Sequence, residues 1–319
     1  MHLNRRVLLA AALVLAGTPA FAQSSPPPAA ASARLPVVAS FSIIGDFARQ
    51  VGGDRVVVTT IVGPDGDTHV YEPTPADAKK MAAARLVFIN GLGLEGWMNR
   101  LIKASGTKAE VVTLTKGIAP RERTADEPQD ADEAPKGAKA HSHGPIDPHA
   151  WQSVANAKIY VANARDALIA ADPAGKAIYE ANAASYLSKL TALEAQVRQD
   201  IAALPANHRM IITTHDAFGY FGDAYGLKLL APQRVSTETE ASAKDVSRII
   251  RQIKTQKVPA VFLENVTNPK LLDQIAQESG AKVGGKLFSD ALSDDTGPAP
   301  TYIQMMMHNL ATLSAALSS

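Results

Sequence analysis

Two stretches of the chain repeat two earlier ones in the same order. "LPVVASFSIIGDFARQVGG" (residues 35–53) matches "RMIITTHDAFGYFGDAYGL" (residues 209–227), and "VFINGLGLEGWMNRLIKASGTKAEVVTL" (residues 87–114) parallels "VFLENVTNPKLLDQIAQESGAKVGGKLF" (residues 261–288). The first pair runs β-branched segment, small polar turn, helical spacing and a Gly stop; the second runs strand, turn, helix, Gly stop and strand. Alternating strands and helices predict βαβ units around a mostly parallel sheet. Two such blocks predict an α/β chain of two similar lobes, each a mostly parallel sheet flanked by helices.

Residues 172–205, "DPAGKAIYEANAASYLSKLTALEAQVRQDIAALP", lie between the blocks. Ile178, Ala181, Leu187, Leu190, Val197, Ile201 and Leu204 recur at helical spacing, with Asp172 as a candidate cap and Pro173 in the first turn. About thirty helical residues span roughly 45 Å, enough to join the lobes by one long rigid helix. A stiff connector argues against large hinge closure. The expected organisation is a signal peptide at 1–22, a linker at 23–34, an N-terminal lobe at 35–171, a connecting helix at 172–205 and a C-terminal lobe at 206–319.

The leader follows from "MHLNRRVLLAAALVLAGTPAFAQSS". Arg5 and Arg6 form a basic start, Val7 to Ala16 a short apolar run, and Ala20-Phe21-Ala22 a small-x-small cleavage site. That run is too short for a membrane span, and no later apolar run is long enough for membrane insertion. The chain has no Cys. It therefore forms no disulfide and has no thiol to carry a lipid at the cleavage site, so a soluble periplasmic protein is expected rather than a lipoprotein. Without Arg5 and Arg6 the chain carries 30 basic and 31 acidic residues, a net charge of −1, which gives no argument for nucleic acid or an anionic surface.

Histidine placement carries the chemistry. His69 stands between the strand "DRVVVTTIV" and the helix "TPADAKKMAAA", with Thr74 as its cap. His215 follows "RMIITT", Asp290 follows "AKVGGKLF", and His149 in "IDPHAW" precedes a helix starting near Ser153. Ligands of open α/β sheets bind beyond the carboxyl ends of strands. Two of these residues come from each lobe, and all four are expected to converge on the cleft between them. Three imidazoles and one carboxylate make a four-coordinate set for Zn²⁺. A single histidine in such a place is more often a hydrogen-bonded structural residue; four in comparable positions argue otherwise. His208 and His308 are read as structural.

The segments "GDTHVYEPTPAD", "DPHAW", "THDAFGYF" and "SDALS" resemble the four metal-ligand signatures of the zinc/manganese ABC-transporter substrate-binding proteins, over residue 35 to the C-terminus. The resemblance implies two α/β lobes joined by one long helix, a metal between them, and the ligands His69, His149, His215 and Asp290. It implies as partners an ABC permease and its ATPase, with no chemistry performed by the chain. A monomer is expected. Manganese binders of that family often have Glu in an "EGAF"-like third motif, whereas His215 in "THDAF" resembles the zinc-leaning members. Imidazole suits Zn²⁺ and Mn²⁺ favours harder oxygen donors, which leaves Mn²⁺ as the alternative cargo.

Residues 120–146 have almost no large apolar residue and read as a mobile acidic loop, with His141 and His143 as an auxiliary capture site or as a merely solvated segment. Asp147, Asp216 and Glu264 are candidates to take the second N–H of a bound imidazole; the alternative for each is a helix cap or a solvent-facing carboxylate. "GLGLEG" at residues 91–96 matches a dinucleotide fingerprint, but Glu110, the acid at the right distance, opens its strand instead of closing it. A zinc hydrolase is the rival from another class. It would need an open coordination position and a general base, and no HExxH or GxSxG pattern is present. An adhesin-like surface role is a third reading, which the residues do not address.

Overall fold

The β-branched runs at the start of the N-terminal lobe become strands β1 (Leu35–Phe41) and β2 (Val56–Val62), with helix α1 (Ser42–Gly52) between them. Beyond its first two residues β1 is buried without alternation, as expected for a parallel strand covered on both faces. The computed structural model describes residues 34–122 and 146–318, all within one unit, Ala33–Ser319. Helix α2 (Pro75–Ala83), β3 (Leu86–Ile89), α3 (Met98–Ser105) and β4 (Glu110–Thr113) complete a four-stranded sheet of order β2-β1-β3-β4. A short antiparallel ribbon follows, β5 (Arg121–Glu122) with β6 (Ile146–Asp147). His141, His143 and most of the acidic loop between those strands lie outside the described residues, as does the leader.

After α4 (Val154–Ala171) and α5 (Lys176–Ala203), the C-terminal lobe runs β7 (Met210–Ile212), α6 (Gly219–Tyr225), β8 (Lys228–Leu230), α7 (Ala243–Gln256), β9 (Ala260–Glu264), α8 (Lys270–Ser279), β10 (Lys282–Leu287) and α9 (Tyr302–Leu317). Its sheet order is β8-β7-β9-β10, and its pairings, like those of the first sheet, are parallel. In each lobe the second strand flanks the first at one edge, so both lobes share one topology.

The connecting helix differs from its sequence reading at its start. Pro173 opens a 3-10 turn, and α5 begins at Lys176, giving 28 residues and about 42 Å. Asp172 does not cap it. Its carboxylate takes Arg55 (2.7 and 2.9 Å) and the Tyr179 hydroxyl (2.7 Å). The buried stripe of α5 is Tyr179, Ala183, Tyr186, Leu190, Leu193, Val197 and Ile201; Ile178 and Ala181 face solvent. Tyrosine takes the inner positions because each hydroxyl finds an acceptor, Asp172 for Tyr179 and Asp46 for Tyr186. This helix packs on α1 and α4 of the first lobe and on α6 and α9 of the second. One hydrophobic core runs through it from β1 to α9, including an edge-to-face Phe47–Tyr302 ring contact at 4.9 Å.

Candidate metal centre

The loop after β2 opens with a turn at residues 63–66, closed by the Gly66 N–H on the Gly63 carbonyl (3.3 Å). Asp67 then folds its carboxylate onto the His69 N–H (2.9 Å), and the Trp97 indole N–H holds the Thr68 carbonyl (2.8 Å). Thr74 and Asp77 form a capping box that starts α2, with the Tyr71 hydroxyl also on Asp77. His69 is thus fixed on both sides along the chain.

His149 does not follow a strand of the main sheet, unlike the other three. It comes after β6, and its position is set by side chains. The Asp147 carboxylate accepts the His149 N–H (2.9 Å) and faces its Nδ1 (2.8 Å). Asn90, at the end of β3, donates to the Pro148 carbonyl (2.9 Å) and accepts from the Tyr160 hydroxyl. Arg121 lies 3.4 Å from the far oxygen of Asp147.

In the second lobe Glu264, the last residue of β9, accepts the Thr214 and His215 N–H groups (2.7 and 2.8 Å), while its other oxygen stands 2.6 Å from His215 Nδ1. Asp290 follows β10. The Ser289 carbonyl beside it accepts from Trp151 Nε1 (2.9 Å) and Gln152 Nε2 (2.8 Å), both from the first lobe.

With Nδ1 of His149 and His215 turned to carboxylates, their protons belong there and Nε2 is left as the donor atom. His69 Nε2 lies 3.2 Å from His149 Nε2 and 3.2 Å from Asp290 Oδ2; His215 Nε2 lies 3.1 Å from the same oxygen, and His149 Nε2 lies 3.6 Å from Asp290 Oδ1. One donor atom from each of the four residues falls within 4.8 Å of every other. A tetrahedral ion roughly 2.0–2.2 Å from its ligands separates them by about 3.3–3.6 Å, so the contacts of 3.1–3.6 Å match a single first-row divalent cation. All four side chains are buried.

Burial alone would push the His149 imidazole down, but Asp290 and Asp147 outweigh it and hold it up at about 9. His215 is likewise held well above its ordinary range by Glu264 and Asp290 against burial. Burial would raise Asp290, yet the two imidazoles keep it well below the carboxylate range. Without a cation the cluster therefore holds protons in its place.

Of the three acids read as supports, Asp147 and Glu264 stand against imidazoles. Asp216 is buried with its N–H on the Arg234 carbonyl (3.2 Å), and both ring nitrogens of the neighbouring His215 already face Glu264 and Asp290. His208 Nδ1 meets the Leu317 carbonyl and His308 Nε2 the Lys286 carbonyl. Sequence reasoning missed Asn90 and Glu95. Glu95, inside the "GLGLEG" stretch, is buried with its carboxylate on the Ser40 hydroxyl and on the N–H groups of Asn90 and Gly91. The backbone donors that a phosphate would need are filled by the chain's own acid, which removes the dinucleotide reading.

Residues 37–316 match the family described as "Zinc-uptake complex component A periplasmic". The chain belongs to this family. Among its relatives, the iron-binding protein YfeA of Yersinia pestis is 34% identical over 98% of this chain and 97% of its own length. The manganese-binding lipoprotein MntA of Halalkalibacterium halodurans is 34% identical over 89% of each chain. The solved periplasmic zinc-binding protein TroA of Treponema pallidum superposes with a TM-score of 0.79 at 29% identity, covering 90% of this chain and 100% of that one. Membership places the chain among metal-binding substrate-binding components of ABC transporters, a solute-binding class in which the named metal varies. No helix among the described residues is long and apolar enough to cross a membrane.

Proposed function

We propose that the protein captures Zn²⁺ through His69, His149, His215 and Asp290 and delivers it to an ABC permease whose ATPase drives import. The observation that carries this is the convergence of three imidazole nitrogens and one carboxylate on a single buried point, two donors from each lobe. A nitrogen-rich set favours Zn²⁺ over Mn²⁺. Four buried donors, with His149 and His215 backed by Asp147 and Glu264, favour holding a cation over activating water at it, and so transport over hydrolysis. In this reading the leader at residues 1–22 exports a monomer to the periplasm, and the absence of Cys makes it soluble where MntA is by name a lipoprotein. His141 and His143 serve as an auxiliary capture site, and residues 35–171, 172–205 and 206–319 act as lobe, connector and lobe.

Manganese is the second reading, favoured by relatives named for it and by an Asp290 that turns both oxygens toward the imidazoles. Competitive titration of metal-free protein with Zn²⁺ and Mn²⁺, with metal content by mass spectrometry, decides between them. Zinc is expected to bind at one equivalent and to displace manganese. Preferential retention of manganese would overturn the assignment.

A further inference from the structure

All four donor side chains are buried, so a cation cannot enter or leave unless something moves. The continuous core along α5 resists wholesale hinging. The loop carrying His69 offers a local alternative, because three bonds fasten it to the opposite lobe. The Asp65 N–H donates to the Leu292 carbonyl (2.9 Å), Asn265 Nδ2 donates to Asp65 Oδ1 (3.0 Å), and the Thr237 hydroxyl donates to Asp67 Oδ2. The other oxygen of Asp67 is the one that holds the His69 N–H.

Two features single out this fastening. Asp65 has φ +52° at the third position of a turn whose second residue is Pro64. Such turns take Gly or Asn there, and a left-handed Asp costs on the order of 1 kcal/mol or more. The surrounding bonds hold it in that state. Asn265, directly after Glu264, also brackets Asp290: its Oδ1 accepts the Ser289 N–H (3.2 Å) and its Nδ2 reaches the Ala291 carbonyl (3.2 Å). One amide thus touches the backbone on both sides of Asp290 and the loop that ends in His69.

We propose that Asn265 is a positioning residue and that the Asn265–Asp65 and Thr237–Asp67 bonds form a latch setting the rate at which metal enters and leaves. Opening the latch releases residues 63–69 from the opposite lobe; once the Trp97–Thr68 bond yields as well, the loop carries His69 away while the other three donors stay in place. Strain at Asp65 favours the open side, so that docking forces of modest size suffice. This rests on the four residues being the metal site.

The test measures Zn²⁺ loss from the loaded full-length protein to excess 4-(2-pyridylazo)resorcinol, with association rates, equilibrium affinity and the melting temperature of the metal-free protein. Asp65→Gly keeps the backbone bond and removes the strain together with one of the two latch bonds, whereas Thr237→Val removes the other. Thr237→Val is expected to speed metal loss about two- to tenfold, the effect of one hydrogen bond, Asp65→Gly by less because relief of the strain offsets part of the lost bond, and the double variant at least as much as Thr237→Val. Association should quicken as well, so affinity changes less than the rates, and Asp65→Gly should melt no lower than the parent. Asp65→Asn, which keeps an acceptor and tolerates positive φ, should exchange no faster than the parent. Loss within twofold of the parent in the double variant, or acceleration matched by equal falls in affinity and melting temperature, would overturn the latch alone. A parent that binds neither Zn²⁺ nor Mn²⁺ would overturn the site beneath it.

Discussion

His149 and His215 each have a carboxylate behind the ring, and that arrangement sets what single substitutions do. Replacing His69, His149 or His215 with Ala removes an inner donor and should weaken zinc binding by at least about a hundredfold. Asp147→Asn and Glu264→Gln leave the donors in place but weaken the acceptors on Nδ1, so losses of roughly 10- to 100-fold are expected, read by competition with a chelator. Unchanged affinity after loss of any inner donor would mean a wrong ligand set. Protons act at the same scale. Asp147, Glu264 and Asp290 bring three negative charges to the centre, and Arg121 one positive charge beside Asp147. A divalent ion offsets most of the negative charge; protons on His149 and His215 do the same in its absence. Zinc binding near pH 7 should therefore release close to two protons, measurable by calorimetry in buffers of different ionisation enthalpy, and affinity should climb until about pH 9. Stability of the metal-free protein runs the other way. A His149 raised from 6.5 to about 9 stabilises fully below 6.5 and is lost as pH rises through about 9. Asp290, depressed from 3.8, stabilises above that value and is lost as pH falls below it. Melting of metal-free protein should thus decline from pH 6.5 to 9 while melting of zinc-loaded protein does not.

Helix α6 shows how an element can reach the site without supplying a ligand. A Cβ on Gly219, at its first turn, would lie 2.5 Å from the Arg121 guanidinium carbon and 2.6 Å from Asp147 Oδ2. Gly219→Ala is expected to displace that pair and loosen His149, lowering zinc affinity severalfold with the helix still formed by circular dichroism. Helix α5 carries stability in its tyrosines. Tyr186→Phe removes the hydroxyl from buried Asp46 and should cost about 1 kcal/mol in urea unfolding with zinc affinity unchanged. Elements were legible in the sequence where apolar spacing was regular, as in β1, β2, α5 and α9. The start of α5 and the inner role of its tyrosines were not, because Arg55 and Asp46, far away in the chain, decide which way Asp172 and Tyr186 turn.

Across the whole molecule, the two repeats superimpose at one offset, which sets His215 against Phe41 and Glu264 against Asn90. The lobes share a topology but not the placement of the clustered side chains: the first offers residues beyond β2 and β6, the second beyond β7 and β10. Because α5 and one core run through both lobes, zinc should leave the small-angle scattering profile nearly unchanged; a clear contraction on loading would argue for hinge closure instead. The sequence alone determined the α/β class, the pair of lobes, the long connector and three of the four residues that meet, since strand-end loops and helical periodicity are local properties of the chain; His149 was legible only through the resemblance of "DPHAW". Tertiary structure alone decided which acids stand behind the imidazoles, that Glu95 fills its own loop, and that Asn265 and Thr237 fasten the His69 loop. Those roles depend on contacts between residues dozens to hundreds of positions apart, where a side chain's meaning comes from its neighbour in space.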